Sequence, residues 1–313
     1  MLNARQLETF YWVAKLGSFT AAAGRMNTTQ SAISMRVREL EIALDVALFD
    51  RRHRAATLTP KGHELLGYAE QILRLTSEAR ERVSDGKDAP QTLRLGTAEV
   101  VSITWLPRLI HTIHAQHPRI RLELDEALTQ DLFDRLEQGS LDLVLAPGRP
   151  KGSGFASTSL GSVQFAWMAS PSLGLPMGRL GPRDLQQWPV IALARESHHH
   201  VAIEDWFGAA NAACQRIDTC KSTGVAAALA GAGLGVTFLP VRCYQREIDD
   251  GKLAIVETAP ALPPVEFTAV SSKDNVEPFI RRIATLAAEI SDFDKPAADA
   301  RRRVHTGEHQ PTP

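Results

Sequence analysis

TQSAISMRVRELEIAL, residues 29–44, decides the reading of the N-terminal sixty residues. Thr29 supplies an N-capping hydroxyl, and Ile33, Val37, Leu40 and Leu44 recur at i, i+4, i+7 and i+11, a stripe that turns one side of a helix inward. The other side presents Gln30, Ser31, Ser34, Met35 and Arg38, with no long acidic side chain before Glu39 and Glu41. The first turn of such a helix fits a DNA major groove, where Gln, Ser and Arg match the donors and acceptors of base edges. Free N–H groups near Ser18 and Thr29 suit phosphate oxygens.

Upstream, residues 4–16 place Leu7, Phe10, Val13 and Ala14 on one helical face. Gly17 ends that helix, and Ser18 caps a second one carrying Phe19, Ala22 and Ala23 before the polar break Asn27-Thr28. Downstream, Leu48-Phe49 is an apolar anchor, Arg51-Arg52-His53-Arg54 a basic loop, and residues 55–59 a returning short strand. Such a hairpin sets Arg51, Arg52 and Arg54 beside a DNA backbone. A small protein-interaction module with a solvated basic loop fits the same residues.

The 313 residues hold 35 Lys and Arg against 36 Asp and Glu, a net charge of −1, yet residues 1–62 alone carry +4 and the remainder −5. A basic head on an acidic body implies that only the head meets a polyanion. The length suggests two or three domains. An apolar fraction of 44% with 23% charged residues excludes wholesale disorder and fibrous architectures. No apolar run is long enough for a membrane span, and MLNARQLETFYWVAK lacks the apolar core of a signal peptide. Cys214, Cys220 and Cys243 build neither a disulfide framework nor a zinc module, so the reading is cytoplasmic and reduced.

Thr59-Pro60 starts a further helix that nothing breaks before about Ser84. Leu65, Ala69, Ile72, Thr76, Ala79 and Val83 follow an a/d register, read as a dimer seam that pairs two heads over two half-sites. One amphipathic helix packed on its own domain is the plainer alternative. Asp85–Pro90 is a polar hinge. Beyond it, strands at 93–96, 120–124 and 141–146 alternate with helices at 103–116 and 129–138, a parallel α/β unit. A second series places strands at 163–168, 189–193, 216–220 and 234–239 and helices at 201–213 and 223–232. Late strands near 253–256 and 265–271 and a helix near 276–290 complete both halves. Ligands in such sheets sit beyond the carboxyl ends of the strands.

The head resembles the winged helix-turn-helix of LysR-type transcriptional regulators. The resemblance rests on Gly17-Ser18-Phe19-Thr20, Ala22-Ala23, Gln30-Ser31-Ala32-Ile33-Ser34, Leu40-Glu41, Leu48-Phe49, Arg51-Arg52 and Leu58-Thr59-Pro60-Lys61-Gly62. Met35, Ser31 and Asp45 depart from the arginine, proline and glycine usual at those places. The body is similar to the family's effector domain through Leu93–Gly96, Leu106-Pro107, His117-Pro118, Gly139–Leu143, Gly231–Val236 and Leu239-Pro240. The resemblance implies an α+β multidomain chain: a winged helix-turn-helix over 1–60, a linker helix and hinge over 61–90, and a two-lobed, periplasmic-binding-protein-like α/β effector domain over 91–292; the tail over 293–313, with Arg301-Arg302-Arg303 and no apolar periodicity, reads as disordered.

It also implies double-stranded DNA and a small-molecule effector as partners, pairing through the linker helix, and often tetramers. The DNA-contacting candidates are Ser18, Thr20, Thr28, Thr29, Gln30, Ser31, Ser34, Met35, Arg38, Arg51, Arg52 and Arg54. By family analogy the effector candidates are Thr97, Glu99, Thr129, Ser197 and Thr223, each also explicable as a helix cap. A carboxylate at Glu99 disfavours a dianionic effector and favours one with an amine or hydroxyl donor.

His198-His199-His200 reads as a loop or solvated turn rather than a metal site, because successive residues cannot all face one ion. Gly231–Gly235 follows a helix and precedes a strand, the reverse of a phosphate loop. No catalytic set, metal or cofactor is assigned. Two classes remain: a ligand-responsive, sequence-specific transcriptional regulator, or a two-lobed binding protein or enzyme whose head serves oligomerisation.

Overall fold

The computed structural model describes residues 3–50, 56–84, 92–273 and 278–294, with the backbone alone at 74 and 77–84. The chain divides near residue 90 into two compact units. The first holds α1 (Ala4–Leu16), α2 (Phe19–Arg25), α3 (Gln30–Leu44), the two-residue antiparallel strands β1 (Phe49–Asp50) and β2 (Thr57–Leu58), and α4 (Pro60–Ser84). Side-chain oxygens of Asn3, Ser18 and Thr29 cap the first three helices, accepting from the backbone N–H of Arg5, Ala21 and Ala32. Gly17 closes α1 in the left-handed region, φ 62°. Asp45 closes α3 the same way at φ 54°, while the Val46 N–H reaches the Glu41 carbonyl at 3.1 Å. Asp45 thus makes the closure that glycine usually makes at this place, at a steric cost its short polar side chain keeps small.

Leu7, Phe10, Val13, Ile33, Val37, Leu40 and Leu48 are buried, and the Phe49 ring packs 5.5 Å from Phe10 and 5.4 Å from Phe19. Thr59 ties the hairpin to α4: its hydroxyl donates to the Ala47 carbonyl (2.7 Å) and accepts from the Gly62 N–H (3.0 Å). Gly62 lies so close to the strand that a Cβ there would meet the Leu48 carbonyl oxygen at 2.2 Å. Leu65 and Ala69, expected in a dimer seam, instead pack into the head's own core. The apolar strip left exposed on α4 is Tyr68 (59%), Ile72 (37%) and Leu75 (49%), one residue out of the expected register except at Ile72. Thr76 is exposed with its hydroxyl on the Ile72 carbonyl, and the Ala79 and Val83 side chains lie outside the described residues.

The second unit has two lobes. The first runs β3 (Thr92–Thr97), α5 (Glu99–Ser102), α6 (Leu106–Gln116), β4 (Arg121–Glu126), α7 (Thr129–Glu137), β5 (Leu143–Pro147) and β6 (Phe155–Val163). The second runs β7 (Phe165–Ala169), α8 (Pro182–Leu185), β8 (Val190–Leu193), α9 (His198–Gly208), β9 (Ile217–Cys220), α10 (Thr223–Gly231), β10 (Val236–Pro240), α11 (Gln245–Asp249) and β11 (Ala254–Val256). Then β12 (Val265–Ser272) and α12 (Pro278–Ile290) return to the first lobe. The sheets are ordered β4-β3-β5-β12-β6 and β11-β7-β10-β8-β9. In each, three neighbouring strands pair in parallel and one strand, β12 or β7, runs against all the others.

Four expectations change. A single strand over 163–168 is in fact the end of β6 and the start of β7; β6 went unread because FASTSLGSV is a small, polar edge strand with no apolar alternation. The helix expected from 103 to 116 begins only at Leu106 as α6, with Pro107 in its first turn, and a separate short helix, α5, precedes it. The triple histidine is no solvated turn: it opens α9, with His199 and His200 buried. The packing of the second unit also continues past residue 292. Phe293 is buried against Trp105 (5.7 Å) and Phe267 (4.8 Å), and the Asp294 carboxylate accepts from the Ser162 N–H at 2.8 Å. Residues 295–313 lie outside the described residues. Asp292 is buried where Arg108 of the first lobe and Arg242 of the second both donate to its carboxylate, so the buried charge is matched where the lobes meet.

Candidate functional site

In the head, α3 buries Ile33, Val37 and Leu40 and leaves Gln30, Ser31, Met35 and Arg38 exposed, with Ser34 half-buried. Met35 is 58% exposed and Ile42, two turns further along, 73%, so apolar side chains of that face are presented to solvent. Gln30 Nε2 donates to Ser34 Oγ (3.1 Å), and the Thr29 and Ser31 hydroxyls lie 3.0 Å apart, which presets the polar first turn. That turn contains no acid. Its outermost N–H groups and the positive end of the helix dipole therefore have no acid of their own turn to repel a phosphate. Ser18 caps α2, Thr20 is exposed and Thr28 is half-buried in the turn between α2 and α3. Arg51, Arg52 and Arg54 lie outside the described residues, in the stretch between Asp50 and Thr57, which pair across the hairpin. A further cation on the head, Arg25, stacks over the Trp12 ring at 4.6 Å.

In the second unit, a cavity of about 260 Å³ opens between the lobes. It lies at the carboxyl ends of β3, β5, β8 and β9, the position at which open α/β sheets bind ligands. Glu99, Thr129, Ser197 and Thr223 line it together. Thr97 is not among the lining residues; it is buried, with its hydroxyl 2.8 Å from Ser102 Oγ. Ser197 caps α9, accepting from the His200 N–H (3.0 Å) and donating to the Ala194 carbonyl (2.7 Å). Thr223 Oγ1 accepts from the buried Tyr244 hydroxyl at 2.8 Å. Burial raises that phenol's pKa, so it stays a donor.

Sequence reasoning missed the apolar wall of Phe165, Phe238 and Phe267, the cation Lys221 and the buried His199. The rings come from three strands far apart in the chain, and no local spacing announces them. His199 sits between the sheet's strands with its Nε2–H donated to the Phe238 carbonyl and its Nδ1 accepting from the Leu193 N–H at 3.3 Å. Burial holds it neutral, its pKa lowered to about 4. His200 turns away, its nitrogens at the Leu193 carbonyl (2.8 Å) and Glu204 Oε1 (3.2 Å). His198 faces the cavity, its pKa lowered by burial against the pull of Asp205. Three successive histidines thus have three separate surroundings.

Burial pushes the Cys214 thiol up to about 11 and Cys243 to about 12, and raises Cys220, so all three are protonated at neutral pH. Among the described residues no cluster of His, Cys, Asp and Glu is placed to hold a metal, and no helix is long and apolar enough to cross a membrane.

Two family models match the chain: the bacterial regulatory helix-turn-helix of the lysR family over residues 4–63, and the LysR substrate binding domain over 87–289. The regulator BbuR of Bordetella bronchiseptica is 29% identical over 298 residues, 93% of this chain and 89% of that protein. CfxR of Cupriavidus necator is 29% identical over 262 residues, 82% of each. Among solved structures, ArgP from Mycobacterium tuberculosis aligns with a TM-score of 0.67 at 22% identity, covering 93% of this chain and 98% of that one. Full-length CbnR in complex with its target DNA aligns at 0.65 and 21% identity, covering 93% and 100%. At such identities the structures speak for the fold. The family models span both units, and the relatives are named transcriptional regulators, not enzymes. The chain is a LysR-type, DNA-binding transcriptional regulator with an effector-binding domain, and belongs to the LysR family.

Proposed function

We propose that α3 is the recognition helix of this regulator. Gln30, Ser31, Ser34, Met35 and Arg38 read base edges, while Ser18, Thr20, Thr28, Thr29, Arg51, Arg52 and Arg54 hold the phosphates. The observation that carries this reading is the division of α3: Ile33, Val37 and Leu40 inward, and outward a polar face whose first turn holds no acid. Residues 1–60 form the head and 61–90 the linker. Two copies pair through the linker helix, with Tyr68, Ile72 and Leu75 as the exposed strip available for it, and pairs assemble to a tetramer. Residues 91–292 bind the effector in the inter-lobe cavity at Glu99, Thr129, Ser197 and Thr223. Access to chromosomal DNA places the protein in the cytoplasm. The effector shifts the DNA-bound arrangement only as far as it prefers one lobe closure over another.

The test is binding of the full chain to its selected operator and to a random duplex across a salt series. Arg51→Ala and Arg52→Ala weaken both and lower the salt slope by about one each. Gln30→Ala and Ser34→Ala lower operator preference, by roughly 1–3 kcal/mol for a lost base contact, and leave random-duplex affinity nearly unchanged. Equal losses on both duplexes would remove α3 from the reading role.

A further inference from the structure

Glu99 belongs to the first lobe, yet its carboxylate bonds to the second. Oε1 accepts from Ser222 Oγ (2.8 Å) and the Gly224 N–H (3.2 Å), and Oε2 accepts from the Thr223 N–H at 2.5 Å. These donors are the cap and first turn of α10, a nine-residue helix. The first amides of a helix have no intrahelical acceptor, and its dipole favours an anion there. Glu99 is therefore seated where the carboxylate of a ligand would otherwise sit. A second bond crosses the cleft beside it, from the Gln130 N–H to the Glu196 carbonyl at 2.9 Å. The other charged groups on the cavity wall are Glu126, Asp131 and Lys221, which leave it net negative, and Phe165, Phe238 and Phe267 form its apolar side.

We infer that Glu99 is a built-in anion of the cleft: it occupies the start of α10 in the effector-free chain, ties the lobes together and excludes carboxylate ligands from that end. The effector is then a small molecule with an apolar body and an amine, the body against the phenylalanines and the amine toward Glu126 and Asp131. The ligand class rests on the reading of the cavity as the effector site; the seating of Glu99 does not.

Two measurements on the full chain separate these. Hydrogen exchange of the Thr223 amide reads the seat directly: slow in the ligand-free wild type and fast in Glu99→Ala. Fast exchange in the wild type overturns the inference, and this readout holds even if the variant does not fold. Calorimetric titration with the matched probes benzylamine and benzoate reads the ligand class. The wild type binds benzylamine at least about tenfold tighter than benzoate, and Glu99→Ala gains about tenfold in benzoate affinity as the α10 amides are freed. Benzoate binding as tight as benzylamine in the wild type, or no benzoate gain in the variant, overturns the exclusion. No benzylamine binding by the wild type overturns the amine class. Protection by either probe that falls outside the cavity amides would instead refute the cavity as the effector site.

Discussion

Helices α3 and α10 begin alike and serve opposite ends. Each opens on a hydroxyl cap, Thr29 on the Ala32 N–H (3.3 Å) and Ser222 on those of Gly224 (3.1 Å) and Val225 (3.4 Å). Nothing acidic lies in the first turn of α3, and Gln30 and Ser31 there stand in solvent. The start of α10 has an acid brought to it from the other lobe, 124 residues away at Thr223. A free helix start is an invitation to an anion; a filled one is a clasp. The same local signal therefore opens an outward-facing helix start in one unit and an internal contact in the other.

The most damaging way to break the comparison is to unseat the head alone. Gly62→Ala drives a methyl into the Leu48 carbonyl, whose position Thr59 and the Glu41 carboxylate already hold. The head should lose about 3 kcal/mol, the upper end for overpacking, with loss of duplex binding. Thr223 amide protection in the second unit should persist, which hydrogen exchange of the variant checks.

Acid should break the other half. His199 stays neutral in the folded chain down to about pH 4, whereas the unfolded ring takes a proton near pH 6.5. The unfolded state therefore binds more protons between those values. Stability of the second unit, complete above pH 6.5, falls by about 3 kcal/mol as pH drops toward 4. Urea titrations at pH 7 and 4.5 should show that loss, and His199→Gln should flatten the dependence.

The smallest effect sharpens the comparison most. Thr29→Ala and Ser222→Ala each remove a cap worth about 1 kcal/mol. Ser222→Ala also deletes the hydroxyl that donates to Glu99, adding about 1.5 kcal/mol for a bond to a charged acceptor. Thermal unfolding should then show a greater loss for Ser222→Ala than for Thr29→Ala, and equal losses would mean that the clasp contributes little.

Much of this was legible in the residues. Helix starts at Ser18, Thr29 and Thr59 stand where capping hydroxyls placed them, and the stripe Ile33, Val37, Leu40 is buried as its spacing demands. The α4 register was not legible, because Leu65 and Ala69 suit a seam and a core equally; only the head's packing claims them. The histidines misled for a related reason. Adjacent identical side chains look solvated until strands β8 and β10 supply carbonyls and amides to receive them.

Local chemistry along the chain sets where helices begin, which sides turn inward and which family the residues resemble, since periodicity, caps and propensity act within a few residues. Only the tertiary structure decided that Glu99 rests on α10, that three distant phenylalanines share one wall, and that Asp292 meets two arginines from different lobes. Charge and burial act through space, and the distances that govern them exist only once the sheets have brought remote segments together.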